Sequence, residues 1–173
     1  MARPLSPAEL LRLRVDPAAS EAHSPLFGLP LLCVELGSAP PALAQQASDW
    51  AWLAEQPALV VGAAPSGIAP ETRALADRVD VVAASEQELA EIRATCERAP
   101  LAALVLAQLL RGSLSRSIAD GLVAESLAYS TLQAGPEFAA WCKSRSPKQR
   151  EPDSEPALRV TRDRKSTRLN SSH

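Results

Sequence analysis

The sequence predicts an α/β protein in which a small, mostly parallel sheet with covering helices is followed by a helical hairpin region. The first observation is that three short apolar runs, typical of buried strands, alternate with three helical patterns. Such alternation favours parallel strands joined by right-handed crossovers, because the helices then cover the sheet. The second is that the later part of the chain changes to Ala- and Leu-rich helical segments. The third is a length of 173 residues with 46% hydrophobic residues, which suffices for a buried core.

Residues 1–28 are predicted to form a short helix and a loop. Ser6 is a suitable N-cap, Pro7 fits the first helical position, and Glu9 lies three residues after the cap. Proline and glycine residues punctuate the loop that follows. Because no apolar run is long enough for a signal peptide or a membrane span, the sequence predicts a cytoplasmic protein with no membrane partner.

Residues 29–142 are predicted to form one α/β and helical module. Its strands are the apolar runs Leu29–Leu36, Ala58–Ala64 and Asp80–Ser85. Each strand precedes a helical pattern, and these patterns cover residues 41–56, 69–79 and 85–99. The third pattern begins with Ser85 and Glu88, the spacing of a capping box.

Three further helices are predicted from Pro100 onwards, around the sequences "PLAALVLAQLLRGS", "SIADGLVAESLAYSTLQA" and "GPEFAAWCKSR". Their Ala and Leu faces can pack against each other and still leave apolar side chains without a partner. We therefore expect an exposed apolar patch between Ala119 and Trp141. The sequence also allows a homo-oligomer through residues 100–142.

Apolar residues disappear between residues 143 and 156, where charge, Pro and Ser dominate, as is typical of a linker. Residues 157–162 alternate apolar and polar side chains and predict a strand. Because a single strand has nothing to pair with, we expect it to be the first strand of a further domain that is missing from this chain.

The last residues, 163–173, have the sequence "DRKSTRLNSSH". This sequence resembles the translation, in one reading frame, of a widely used sequencing-adapter oligonucleotide, and all eleven residues match. The resemblance implies that the natural sequence ends at about Arg162. It also implies that Ser171, Ser172 and His173 have no catalytic or metal-binding role.

Charge and cysteine content exclude several classes of function. The formal net charge is −2 and no basic stripe is present, so nucleic acid is not expected as a partner. Cys33, Cys96 and Cys142 are far apart and odd in number, which matches neither a disulfide framework nor a zinc site. They are typical of small apolar residues in a reducing compartment, and no role is assigned to them.

The segment from Pro100 to Arg145 resembles the C-terminal helical region of the enoyl-CoA hydratase/isomerase (crotonase) superfamily. The positions that match that family's helices are Pro100, Glu125, Phe138, and Lys143 or Arg145. The earlier stretches "PALVVGAAPSG" and "RALADRVDVVAAS" are similar to the family's strand, glycine-rich turn, helix and next strand, with Asp80 where the family has an Asp. The chain looks most like the N-terminal region of two-part actinobacterial members, which place such a region before a full crotonase domain. The resemblance covers about Leu29 to Arg162.

The resemblance implies a shortened, degenerate crotonase-like unit that is related to acyl-CoA thioester chemistry. In that family two backbone N–H groups hold the thioester oxygen, and carboxylates move protons or activate water. The candidates for binding the CoA thioester are Gly62, Ala63 and Gly67. The candidates for catalysis are Glu88 and Glu91. The chain departs from the family, since Pro65 supplies no N–H in the turn and the segment for the catalytic carboxylates is nearly absent. Glu88 and Glu91 also fit an exposed helical face.

Three hypotheses about function follow from these residues. The first is a non-catalytic assembly or regulatory module of an enoyl-CoA hydratase/isomerase family protein, whose partner is the missing C-terminal crotonase domain. The second is a small active acyl-CoA hydratase or isomerase that uses the turn from Gly62 to Gly67 as part of an oxyanion hole. The third is a structural module unrelated to CoA. No metal or cofactor is predicted, and a coenzyme A thioester would be the substrate of the parent protein.

Overall fold

A computed structural model describes residues 3–16, 18, 21–38, 46–145, 158–162 and 167–171. Contacts divide the chain into two units, residues 1–140 and residues 141–173. The strands of the first unit are β1 (Leu31–Glu35), β2 (Leu59–Ala63) and β3 (Val81–Ala83). Its helices begin with α1 (Pro7–Leu13), the 3₁₀ helix Ala47–Glu55, and the 3₁₀ turn Pro70–Thr72, which runs into α2 (Arg73–Ala76). The later ones are α3 (Glu86–Arg98), α4 (Pro100–Arg111), the 3₁₀ turn Ser113–Ser115, α5 (Ile118–Gln133) and α6 (Pro136–Ser144), whose last residues enter the second unit.

The sheet of the first unit has the order β1-β2-β3, and both pairs of strands are parallel. Leu31 pairs with Leu59 at one end of the register, and Ala63 pairs with Ala83 at the other. On the free side of β1, Leu5 forms a parallel bridge with Val34. The predicted α/β class with a small parallel sheet is therefore confirmed.

Alternating strand residues divide the core into two layers, as the pleat of a strand requires. One layer joins α1, the 3₁₀ helix and α2 to one face of the sheet, and its buried residues are Leu10, Leu32, Val34, Leu36, Trp50, Leu53, Ala58, Val60, Ala64 and Leu75. The other layer joins α3 to the opposite face, and its buried residues are Leu31, Cys33, Val61, Ala63, Ala83, Leu89 and Cys96. The second layer contains smaller side chains than the first.

The helix that was expected over residues 41–56 differs from the prediction. Residues 41–45 lie outside the described residues, and the rest forms a 3₁₀ helix rather than an α-helix. Because a 3₁₀ helix has three residues per turn, Trp50 and Leu53 come to lie above one another, and both are fully buried. The predicted helix 69–79 is also shorter, since α2 ends at Ala76.

The second unit contains an antiparallel pair of strands, β4 (Leu158–Arg162) and β5 (Thr167–Ser171). The strand predicted over residues 157–162 is present, but the expectation that it has nothing to pair with is wrong. The two strands run antiparallel, and the Cα register places Val160 opposite Leu169. Of the predicted linker, residues 146–156 lie outside the described part of the chain, and α6 continues to Ser144.

Within the described ranges, none of the helices combines the length and the apolar character that crossing a membrane requires.

Candidate functional site

An apolar groove of about 550 Å³ lies in the first unit, between the sheet, α3 and α4, and we call it the α3–α4 groove. The sheet side contributes Leu59, Asp80 and Val81. The α3 side contributes Glu88, Glu91, Ile92, Thr95 and Cys96, and Ala99 lies where the two helices join. The α4 side contributes Ala102, Ala103, Leu106, Ala107 and Leu110. The volume is within the range of binding sites for small ligands.

The start of α3 positions the two glutamates. The Ser85 hydroxyl accepts a hydrogen bond from the Glu88 N–H at 3.1 Å, so the predicted N-cap is confirmed. The Glu88 carboxylate accepts from the Ala84 N–H at 2.7 Å rather than from the Ser85 N–H, which shifts the reciprocal bond of the box by one residue. Glu91, one turn later, accepts from the Gln87 side-chain amide at 3.0 Å. The Glu88 carboxylate thus already accepts a hydrogen bond from the residue that precedes the N-cap of α3.

Asp80, which lines the groove, forms an ion pair with Arg111. Arg111 donates to both Asp80 carboxylate oxygens, at 2.8 and 2.6 Å, and the two side chains are only 13% and 11% exposed. Arg111 also donates to the Ala58, Gln56 and Ala54 carbonyls, at 2.7, 2.9 and 3.2 Å. Asp80 in turn accepts from the Val60 N–H at 2.7 Å. The pair therefore fastens the last residue of α4 to the sheet.

Sequence reasoning identified Asp80 through the crotonase resemblance but missed its partner. A basic residue in the last turn of a helix ordinarily indicates an interaction with the helix dipole, which gives no reason to expect a buried pair. The available signal was that Arg111 ends a twelve-residue, otherwise uncharged helix.

The candidate CoA-binding residues do not line the groove that contains Glu88 and Glu91. Gly62 and Ala63 are buried in β2, and a Cβ at Gly62 would overlap the Leu36 side chain, which explains the glycine by packing. Gly67 follows in the turn with φ of +90°, a conformation that glycine adopts without strain.

The turn after β2 has few donors left for an oxyanion. The Ala64 N–H donates to the Ala83 carbonyl at 2.9 Å, and the Gly67 N–H donates to the Ala64 carbonyl at 3.0 Å. Pro65 between them has no N–H. The first bond joins the turn to β3 and the second closes the turn itself, so neither N–H is free to bind an oxyanion.

The titratable groups of the groove lining are acidic or neutral. Asp80, Glu88 and Glu91 are carboxylates, and no lysine or arginine belongs to the lining. Burial raises the pKa of the Cys96 thiol, with a smaller opposing effect of Arg93, so this cysteine stays protonated and is a poor nucleophile. Across the described part of the chain, no three His, Cys, Asp or Glu side chains form a group that could hold a metal ion.

A second feature of the first unit is the apolar surface of α5. Its large side chains are Ile118, Leu122, Val123, Leu127 and Tyr129, and we call this set the α5 surface. Leu122, Val123, Leu127 and Tyr129 are 62%, 60%, 65% and 62% exposed, and all four lie in the range from Ala119 to Trp141 where exposed apolar residues are expected. The half-buried side of α5 consists of Gly121, Ala124, Ala128 and Leu132.

In the second unit, the Arg145 guanidinium carbon lies 4.1 Å from the centre of the Trp141 ring, and Trp141 is also exposed. This is the geometry of a cation–π contact.

Comparison of the chain with models of protein families, with curated proteins and with solved structures found no match. The relation to the enoyl-CoA hydratase/isomerase superfamily therefore stays a prediction from the sequence motifs.

Proposed function

We propose that the chain is a non-catalytic assembly module of an enoyl-CoA hydratase/isomerase-type protein, and that its α5 surface packs against a crotonase-type domain. The observation that carries the proposal is the α5 surface, where large apolar side chains on a 16-residue helix are more than half exposed to water. Exposed apolar surface of this kind is typical of an interaction site.

The bonding of the candidate catalytic groups supports a non-catalytic role. The N–H groups of Ala64 and Gly67 donate to carbonyls of the same chain, and the Glu88 carboxylate accepts from the Ala84 N–H. The carboxylates of the groove would also repel the phosphates of coenzyme A, since the lining offers no basic side chain to neutralise them.

Sedimentation of the full chain tests this proposal. At about tens of micromolar, the chain alone should self-associate through the exposed surface, and adding a purified crotonase-type enoyl-CoA hydratase domain should replace self-association by a heterocomplex. The variant Leu122→Glu/Leu127→Glu should abolish both. The control Gln87→Glu/Ala94→Glu adds the same charge to exposed positions of α3 and should behave like the wild type. The proposal would be contradicted if the wild type sediments as a monomer and forms no complex with the added domain.

A second candidate function is a small acyl-CoA hydratase or isomerase, and the observation in its favour is that Glu88 and Glu91 line the same apolar groove. Hydration of crotonyl-CoA by the full chain tests it. Turnover that disappears in Glu91→Gln, but persists in Glu97→Gln outside the groove, would establish this activity. Absence of turnover would leave the assembly role.

A further inference from the structure

The α3–α4 groove and the α5 surface have no residues in common. We propose that this groove binds an amphipathic helix of a partner protein, with basic side chains that face Glu88 and Glu91. This inference goes beyond the proposed function, because it concerns a different surface and does not depend on a crotonase-type domain.

The shape of the groove favours a helix. Ala103 and Ala107 lie one turn apart on α4, so small side chains form a short row along the α4 wall. Such a row lets the side-chain ridge of another helix approach closely. Next to the row, Leu106 and Leu110 line the groove and yet are 55% and 59% exposed. An apolar stripe that lies in the groove would cover both leucines.

The charges of the groove select a basic partner. On the α3 side, Glu88 and Glu91 are exposed, whereas the Asp80 carboxylate is already paired with Arg111. Towards the end of α3, Arg93 and Arg98 outweigh Glu97, so the net negative charge lies in the first half of the helix. Lysine or arginine beside an apolar stripe would therefore be attracted at that end.

The same charges disfavour a second copy of α5 as the occupant. Residues Ile118–Gln133 contain Asp120 and Glu125 and no lysine or arginine. Docking this helix beside Glu88 and Glu91 would place like charges together, which costs affinity and suppresses that partner. The helix that binds in the groove is thus expected to be apolar and basic, which α5 is not.

Two synthetic peptides test whether the groove prefers a basic helix to an acidic one. Both carry leucine at helical positions i, i+3, i+4 and i+7, and they differ only in having lysine or glutamate at the flanking positions. We expect the full chain to bind the lysine peptide more tightly by fluorescence anisotropy, and added salt should weaken this binding because exposed charges are screened. Equal affinities, or no binding of the lysine peptide, would overturn the proposal.

Paired variants of the full chain test whether the peptide binds in the α3–α4 groove. Glu91→Lys should weaken binding of the lysine peptide at least about threefold, since it replaces an attraction by a repulsion. Glu97→Lys makes the same change of net charge on an exposed position outside the groove lining and should have less effect. Ala103→Leu, which fills the groove, should abolish binding, whereas Ala94→Leu on the exposed side of α3 should not. If either pair of variants binds the peptide alike, the helix does not lie in this groove and the proposal fails.

Discussion

At the level of single residues, the ion pair between Asp80 and Arg111 makes a specific prediction about stability. Arg111→Met would leave the largely buried Asp80 carboxylate without its charge partner and three carbonyls without a donor. Removing one partner of a buried pair is costly, and we expect a loss of about 3 kcal/mol in the free energy of unfolding, measured in urea.

The control for this prediction is Arg98→Met, because Arg98 is an exposed arginine near the end of α3. It should cost less than about 0.5 kcal/mol. The double variant Asp80→Asn/Arg111→Met should cost clearly less than the sum of the two single variants, since neither group is then left as a buried, unpaired charge. A small effect of Arg111→Met alone would show that the pair does not fasten α4 to the sheet.

Glu9 makes the stability of the chain depend on pH in the acid range. Hydrogen bonds from the Arg3 guanidinium, and then from the Ser6 N–H and hydroxyl, lower the pKa of Glu9 from 4.5 to about 2. A carboxyl group with a lowered folded-state pKa contributes stability above its unfolded value, and this contribution is lost as the pH falls from about 4.5 to about 2. We expect the melting temperature of Glu9→Gln to fall less steeply than that of the wild type as the pH is lowered through this window. Equal slopes for Glu9→Gln and the wild type would refute the assignment.

At the level of elements, α4 depends on a cap from another helix. Ala99 provides no side-chain cap for α4, and the Glu137 carboxylate of α6 instead accepts from the N–H groups of Leu101 and Ala102, at 2.8 and 3.0 Å. Loss of a helix cap typically costs about 1 kcal/mol. We therefore expect Glu137→Ala to lower the free energy of unfolding by about this amount, and to increase amide exchange in the first turn of α4. Glu125→Ala removes an exposed glutamate of α5 and should change neither quantity.

The same elements show how far local sequence signals reach. The capping box of Ser6 and Glu9 and the N-cap Ser85 were predicted correctly, because cap and partner are three residues apart in the chain. The cap from Glu137 could not be predicted, since 36 residues separate it from Leu101. The 3₁₀ geometry at Trp50 was also missed, because i, i+3 spacing fits an α-helix equally well.

At the level of the whole molecule, the alternation of strands and helices was enough to predict the parallel sheet, because the order of elements restricts how they can be connected. The α3–α4 groove was not predictable in this way. It lies between the sheet and two helices, and one of its lining residues, Asp80, pairs with Arg111 from a distant part of the chain. The sequence did place Glu88 and Glu91 on one helix, but it did not show that Leu106 and Leu110 lie across from them. The candidate site thus depends on tertiary packing, whereas the fold class depends mainly on local patterns.

The three cysteines report on the integrity of the whole core. Cys33 and Cys96 are 7% and 2% exposed in the same core layer, and burial raises the pKa of both thiols, whereas Cys142 is exposed. We expect dithiobis(nitrobenzoic acid) to modify the Cys142 thiol of the native chain rapidly. It should modify the Cys33 and Cys96 thiols only as the core opens. Cys142→Ser should remove the rapid phase, and denaturant should make all remaining thiols reactive at once. The slow phase should accelerate in Arg111→Met, because a destabilised core opens more often. Rapid reaction of Cys33 or Cys96 in the native chain would contradict the two-layer core, since both thiols lie between the sheet and α3.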